Sequence, residues 1–292
     1  MTTIAPPPPA PAKPPPPLSP RGRTAVRVSL IVVATVLVVG TVASLGAVAL
    51  GISSFRVIKD SKPLPTGMRS LVVDTGSVPI AIRITTDREA REPRADLRMV
   101  NSTRAGANPL AVNNDPTNAR ITINGEPSPF LQWGRAGEIK VVLPPDLART
   151  MTVTTQQETG VVLAQADIDT LIARTDDGAV VLSGAARRVE IHNDSGDVVT
   201  RDPIRVSESF SATTVTGDIT VDLKETAPGT VDVSSEHGDV IVALPETGRY
   251  AVDASTRTGD TVVRVPQTTG GQPAAVVRAR SETGDVIVEN LR

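Results

Sequence analysis

Gly217-Asp218-Ile219-Thr220-Val221, Gly238-Asp239-Val240-Ile241-Val242 and Gly259-Asp260-Thr261-Val262-Val263 follow one another at intervals of 21 residues. The same signature stands at Gly196-Asp197-Val198-Val199 and at Gly284-Asp285-Val286-Ile287-Val288. Looser copies come earlier, at Gly137-Glu138-Ile139-Lys140-Val141, Gly160-Val161-Val162-Leu163 and Gly178-Ala179-Val180-Val181. Successive glycines are 23, 18, 18, 21, 21, 21 and 25 residues apart. A near-constant period of this size marks stacked supersecondary units.

Each unit reads as two strands. Before the Gly lies an alternating run, such as Val189-Glu190-Ile191-His192 or Val231-Asp232-Val233-Ser234. Alternation of this kind predicts one buried and one wet face. After the Gly lies a nearly continuous β-branched run, which Pro144, Pro203, Pro228, Pro245 or Pro266 then stops. Proline cannot donate to a ladder, so it marks strand ends. Two architectures satisfy this pattern. In a β-solenoid each unit is one coil, and equivalent strands stack in parallel about 4.8 Å apart. In an antiparallel meander each Gly sits in a hairpin turn. The even spacing and the doubly apolar second strand point to the solenoid.

The stretch before Gly137 is less regular. Leu71 to Ile84 reads as strands, with Gly76-Ser77-Val78-Pro79-Ile80 a degenerate copy, and Arg120 to Ile123 as one more strand. Solenoid ends expose unpaired edges and need atypical caps, so residues 69–136 are read as an irregular cap region and 137–292 as the Gly-Asp repeats. The run of Gly-Asp-Val-x-Val units behind a short β-rich part resembles the bacterial putative-adhesin family, a domain of unknown function with β-strand repeats. The resemblance covers about Leu71 to Leu291. It implies a β-repeat fold, often with one membrane span, and by the family's name adhesion. It implies no active site.

Composition agrees with an all-β core. Aromatic residues make up 2% of the 292-residue chain, so Val, Ile and Thr must supply the packing. A net charge of −2 gives no case for nucleic-acid binding. There is no Cys, which excludes disulfides and thiolate metal sites. No phosphate-binding glycine loop and no cofactor motif is present.

Ahead of the repeats the chain changes character. Residues 1–27 contain the runs Pro6–Pro9 and Pro14–Pro17 and read as a disordered, polyproline-II-like tail. Residues 28–50 carry no charge and are long enough to span the roughly 30 Å hydrocarbon core as a helix. A secretory signal peptide has a shorter apolar region, of about 7–15 residues. Ala43, Ala47 and Gly51 recur every fourth residue, as on a helix-pairing face, though small residues are common in membrane helices. Lys13, Arg21, Arg23 and Arg27 precede the span without an acid among them. That bias places the tail in the cytoplasm and residues 69–292 outside the membrane, after a linker at 51–68.

Several motifs invite a chemical reading. Asp74-Thr75-Gly76-Ser77 with Asp194-Ser195-Gly196 matches the halves of an aspartic peptidase dyad. Both glycines fall in the repeat's turn register, where Ser, Thr and Asp are ordinary turn residues. Asp197, Asp218, Asp239, Asp260 and Asp285 share one repeat position and would form an acidic edge. They splay into water, cap backbone N–H groups, or share cations, and the dense Gly-Gly-x-Gly-x-Asp pattern of calcium solenoids is missing. His192 and His237 fall at different repeat positions and read as surface residues. Phe130, Leu131 and Trp133 cluster between prolines and a glycine, either plugging the solenoid or stacking on sugar rings or a partner.

The expectation is therefore a non-enzymatic, membrane-anchored envelope β-repeat protein. It would be adhesin-like or bind an envelope polymer or surface protein, with Phe130 and Trp133 as candidate binding residues. The alternatives are a polysaccharide-active solenoid enzyme, an aspartic-type peptidase, and a signalling or scaffold partner acting through the Pro-rich tail.

Overall fold

The computed structural model of the chain describes residues 55–102, 109–124, 137–268 and 271–291. The Pro-rich tail, the apolar segment 28–50 and the Phe130–Trp133 cluster lie outside the described residues. The strands in chain order are β1 (Phe55–Pro63), β2 (Ser70–Gly76), β3 (Ile80–Thr86), β4 (Arg94–Ser102), β5 (Leu110–Asn114), β6 (Asn118–Ile123) and β7 (Gly137–Leu143). A single turn of helix, α1 (Pro145–Ala148), leads into β8 (Thr152–Ser195). Then come β9 (Val198–Thr200), β10 (Arg205–Thr216), β11 (Ile219–Asp222), β12 (Thr230–His237), β13 (Val240–Leu244), β14 (Tyr250–Thr258), β15 (Thr261–Arg264), β16 (Ala275–Thr283) and β17 (Val286–Asn290).

Pairing between repeats is parallel and in register, which decides for the solenoid over the meander. Phe210 lies beside Val189 and Val231, and Ile219 beside Val198 and Val240. Each coil lays one strand before the Gly and one after it, so the stack has two walls. β8, at 44 residues, is not one straight strand: it winds through the Gly160 and Gly178 corners and into the next coil. Inward positions alternate along each strand, as in β12, where Val231 and Val233 are fully buried. Leu71, Val73, Ile82, Ile121, Ile139, Val162, Val198, Phe210, Ile219, Val240 and Val286 make one continuous apolar core.

Two findings differ from sequential coiling. The last coil of the chain is not the last of the stack. β16 pairs with β12 on one side and β14 on the other, and β17 lies between β13 and β15. The coil of Gly284 is thus inserted between those of Gly238 and Gly259. The extra residues in the final 25-residue interval let the chain pass the outer coil and return inside it.

The N-terminal end repeats this arrangement. β2 lies between β6 and β8, and β3 between β7 and β8. The region read as an irregular cap therefore holds a full coil, with the true caps being antiparallel: β5 on β6, and β4 with β1 on β7. Phe55–Pro63, inside the stretch read as a linker, is the edge strand β1. Its alternation was hidden by Lys59, Asp60 and Lys62, of which Lys59 is exposed and the other two half-buried beside the buried Ile58.

Candidate functional site: the Gly-Asp corner and the outer walls

The corner that defines the repeat is built from three residue positions. Gly238 has φ +154°, and a Cβ placed there would sit 2.1 Å from the carbonyl oxygen of Gly217. Backbone packs on backbone here, and only Gly leaves the room. The following Asp extends the ladder: the N–H of Asp239 donates to Oδ1 of Asp218 at 2.8 Å, and the N–H of Asp285 to Oδ1 of Asp239 at 2.8 Å. The same bond joins Asp218 to Asp197 at 3.0 Å and Asp260 to Asp285 at 2.8 Å. The acidic edge is thus a chain of backbone caps, in which the carboxylates of Asp197, Asp218, Asp239 and Asp285 each accept the amide of the next coil and Asp260 ends the chain. Among the described residues no group of His, Asp and Glu is arranged to hold a metal ion.

The third position was overlooked in reading the sequence. Three residues before each Gly stands a polar side chain: Gln157, Thr175, Asn193, Thr214, Ser235, Thr256 and Ser281. From Asn193 onward these side chains donate to the corner carbonyls, while Gln157 Nε2 donates to Thr175 Oγ1 at 3.4 Å. Ser235 Oγ donates to the Gly217 carbonyl and Ser281 Oγ to the Gly238 carbonyl, each at 2.9 Å. Thr256 Oγ1 donates to the Gly284 carbonyl at 2.8 Å, and Asn193 Nδ2 to the Gly178 carbonyl at 3.0 Å. A carbonyl buried in a tight corner needs a donor, and this column supplies it. The signal was legible as an unbroken polar column in an otherwise apolar register.

The peptidase pair does not assemble. Asp74 Oδ1 accepts the N–H of Gly76 at 3.1 Å, and its Oδ2 accepts from Arg120 Nη2 at 3.0 Å. The Asp74 and Asp194 coils are separated by the Gly160 and Gly178 coils. At about 4.8 Å per coil the two carboxylates stand roughly 14 Å apart. They cannot share a proton.

His192 lies at the surface and gathers partners there: Nδ1 lies 3.0 Å from Thr213 Oγ1, and Nε2 lies 3.0 Å from Glu190 Oε1. All of this sits on the outer face of the first wall. His237 is exposed at the end of β12. Further along this wall Arg187 bridges Asp169 at 2.7 Å and also reaches Glu208, which Arg188 contacts as well. The Arg187 hydrogen bond holds the Asp169 carboxyl below its ordinary range, against a smaller opposing effect of burial.

The outer face of the second wall is different. Leu163, Val181, Val199, Thr220, Ile241, Ile287 and Val262 share one outward position and stack in that order, each partly exposed. Carboxylates border this stripe: the Asp column on one side, Asp222 and Glu289 on the other. Burial, aided by Glu289, pushes the Asp222 carboxyl above its ordinary range. A small apolar pocket lined by Ala166, Leu171, Leu182, Gly184 and Val189 has room for little more than a water-sized sphere. Among the described residues no helix is long and apolar enough to cross a membrane.

Comparison with known proteins adds the following. None of the curated proteins matches the chain. Among solved structures, a putative cell adhesion protein from Clostridium sporogenes aligns at 13% identity, covering 81% of this chain and 100% of that one, with a TM-score of 0.40. A putative adhesin from Bacteroides fragilis aligns at 14% identity, covering 81% and 97% of the two chains, with a TM-score of 0.41. Residues 148–289 match the Toastrack DUF4097 family. That stretch runs from the end of α1 through β17 and takes in the coils whose Gly, Asp and inward polar ladders are described above, so the part of the chain that is similar to the Toastrack DUF4097 family is a β-solenoid.

Proposed function

We propose that the chain is a non-enzymatic, adhesin-like envelope protein that carries its β-solenoid outside a membrane, held by the apolar segment 28–50. We further propose that it binds an envelope or surface component through the outer face of its second wall. The stripe from Leu163 to Val262 is the observation that carries this reading. Parallel sheets are ordinarily covered on both faces, yet here the outward, mainly β-branched column is partly exposed along seven coils. The residues with chemical potential at the corner are already committed to the ladders, so the recurrent Gly-Asp motif supports architecture rather than catalysis.

The test uses the full chain displayed on cells, with attachment to envelope polymers and to abiotic surfaces measured. Ile241→Asp with Ile287→Asp places two charges on the stripe without touching the inward core. Attachment is expected to fall at least tenfold while the melting temperature stays within a few degrees. Attachment unchanged in that variant, but lost in Trp133→Ala, would move the binding site to the Phe130–Trp133 loop and overturn the stripe reading.

A further inference from the structure

We infer that the free end of the solenoid at β14 and β15 pairs with the same end of a second copy of the chain, about a two-fold axis through Ser255. The two ends of the stack are not alike. At the N-terminal end the outermost strands are antiparallel caps, and β1 carries Lys59, Lys62 and Pro63, residues that blunt an edge. At the other end β14 and β15 are ordinary parallel coil strands, without a proline or a lysine.

Their outer edge is open among the described residues. Tyr250 uses its edge: its N–H donates to the Pro266 carbonyl at 2.9 Å and its carbonyl accepts from the Thr268 N–H at 3.0 Å. Alternation along a strand then aims the N–H and C=O of Val252, Ala254 and Thr256 the same way. No strand lies there. On β15 the Asp260 carbonyl is taken by the Val286 N–H, so Thr261 and Val263 face outward with their main-chain groups. The core is also unfinished at this end. Val252, Ala254 and Val263 are only partly buried, whereas the stacked equivalents Val277, Ala279 and Val288 are at 0% exposure.

Charge selects a second copy, and a register, over other occupants. Asp253, Ser255 and Arg257 line the exposed outer face of β14. An antiparallel pair centred on Ser255 sets Asp253 opposite Arg257 of the other copy, twice. It also sets Ala254 opposite Thr256, so the outward main-chain groups meet. Asp253 and Arg257 then fall at a non-hydrogen-bonded position, where side chains approach closest. Asp253 already accepts from Arg280 at 2.9 Å, and the incoming Arg257 takes the open side of the carboxylate. Near Val262 the same axis pairs Thr261 with Val263. Together the two walls gain about eight main-chain hydrogen bonds, close to the count of an ordinary interface.

Thr261 occupies the inward position that Val240 and Val286 hold in neighbouring coils, and it is exposed. That polar substitution keeps the separated end soluble, so the pairing is reversible.

The absence of native Cys makes the test direct. Full-length chain carrying Ser255→Cys is oxidised mildly and run on a non-reducing gel. Ser234→Cys, at the same outward position on an interior coil, is the control. The expected result is a covalent dimer in Ser255→Cys at least fivefold above the control. Ala254→Pro removes only an outward N–H, and Arg257→Asp sets like charges opposite; each is expected to return the dimer to control level. Asp253→Arg combined with Arg257→Asp is expected to restore it. Equal cross-linking at 234 and 255 would overturn the inference, as would indifference to Ala254→Pro or a charge swap that fails to rescue.

Discussion

Replacing Gly238 by Ala tests the corner geometry where it is tightest. The new Cβ would lie 2.1 Å from the Gly217 carbonyl oxygen and 2.6 Å from its carbon, and φ is +154°. Adopting that backbone costs an L-residue about 1–3 kcal/mol. Relief of the overlap requires the coils to part by roughly 1 Å, at a point that three hydrogen bonds clamp. These are Gly217 N–H to the His237 carbonyl at 2.9 Å, Ser235 Oγ to the Gly217 carbonyl at 2.9 Å, and Asp239 N–H to Asp218 Oδ1 at 2.8 Å. At about 0.5–1.5 kcal/mol for each of the three bonds weakened, the total with the backbone term is about 2.5–7.5 kcal/mol. For a unit of this length that lowers the melting temperature by roughly 5–30 °C. Gly76→Ala is the matched control: φ is +51° and nothing lies within 4 Å of its Cβ, so only the left-handed backbone term of about 1–2 kcal/mol applies. Thermal unfolding by circular dichroism compares the two. If Gly238→Ala cost no more than Gly76→Ala, the claim that backbone contact enforces glycine would be wrong.

Ser235→Ala leaves the Gly217 carbonyl without its side-chain donor and is expected to cost about 1–2 kcal/mol, read by denaturant titration. Tyr250 Oη donates to the Pro245 carbonyl at 2.5 Å from a buried position, so Tyr250→Phe is expected to lose a similar amount and to change far-UV signal little. Asp222 is held above its ordinary pKa by burial and then by Glu289; its ionised form opposes folding at neutral pH. Asp222→Asn should therefore raise the melting temperature at pH 7, with the gain shrinking as pH falls through the Asp222 folded pKa. Asp169 behaves in the opposite sense. The Arg187 hydrogen bond lowers its pKa, so its contribution is present above the unfolded value of 3.8 and lost as pH falls below it. A pH series of melting curves for Asp169→Asn should show a shallower acid limb than the parent protein.

The period, the strand pairs and the role of Gly were legible because each is a local demand. A tight corner needs Gly, and a two-faced strand needs alternation. The order of the last coils was not legible by the same means. Val231-Asp232-Val233, Val252-Asp253-Ala254 and Val277-Arg278-Ala279 present equivalent inward faces, so any stacking order satisfies the pattern. What distinguishes the outer coil is Thr261, the one polar residue at a position held elsewhere by Val or Ile, together with the long final interval. Read jointly, those two features would have placed the Gly259 coil at the end. At the other terminus Thr75 interrupts the register between Asp74 and Gly76, and that irregularity made a full coil look like cap.

The acidic edge shows why a shared position is not a shared site. Asp197 to Asp285 align as expected, but the carboxylates of Asp197, Asp218, Asp239 and Asp285 are each occupied by the amide of the next coil, Asp260 on the outermost coil being the last donor. His192 shows the reverse case, since Thr213, 21 residues on, meets it only through stacking, while Glu190 stands two residues before it on the same strand.

Disulfide trapping of coil order tests the inserted-coil solenoid most directly. Ser234 lies beside Arg280, and Arg280 beside Ser255; neighbouring strands stand about 4.8 Å apart, within disulfide reach, and alternate ones about 9.6 Å apart, beyond it. With no native Cys to compete, Ser234→Cys combined with Arg280→Cys is predicted to close an intrachain disulfide, identified by peptide mass. Ser234→Cys combined with Ser255→Cys is predicted not to close one. A chain that linked 234 to 255 and left 234 and 280 unlinked would have its coils stacked in sequence order, contradicting the fold described.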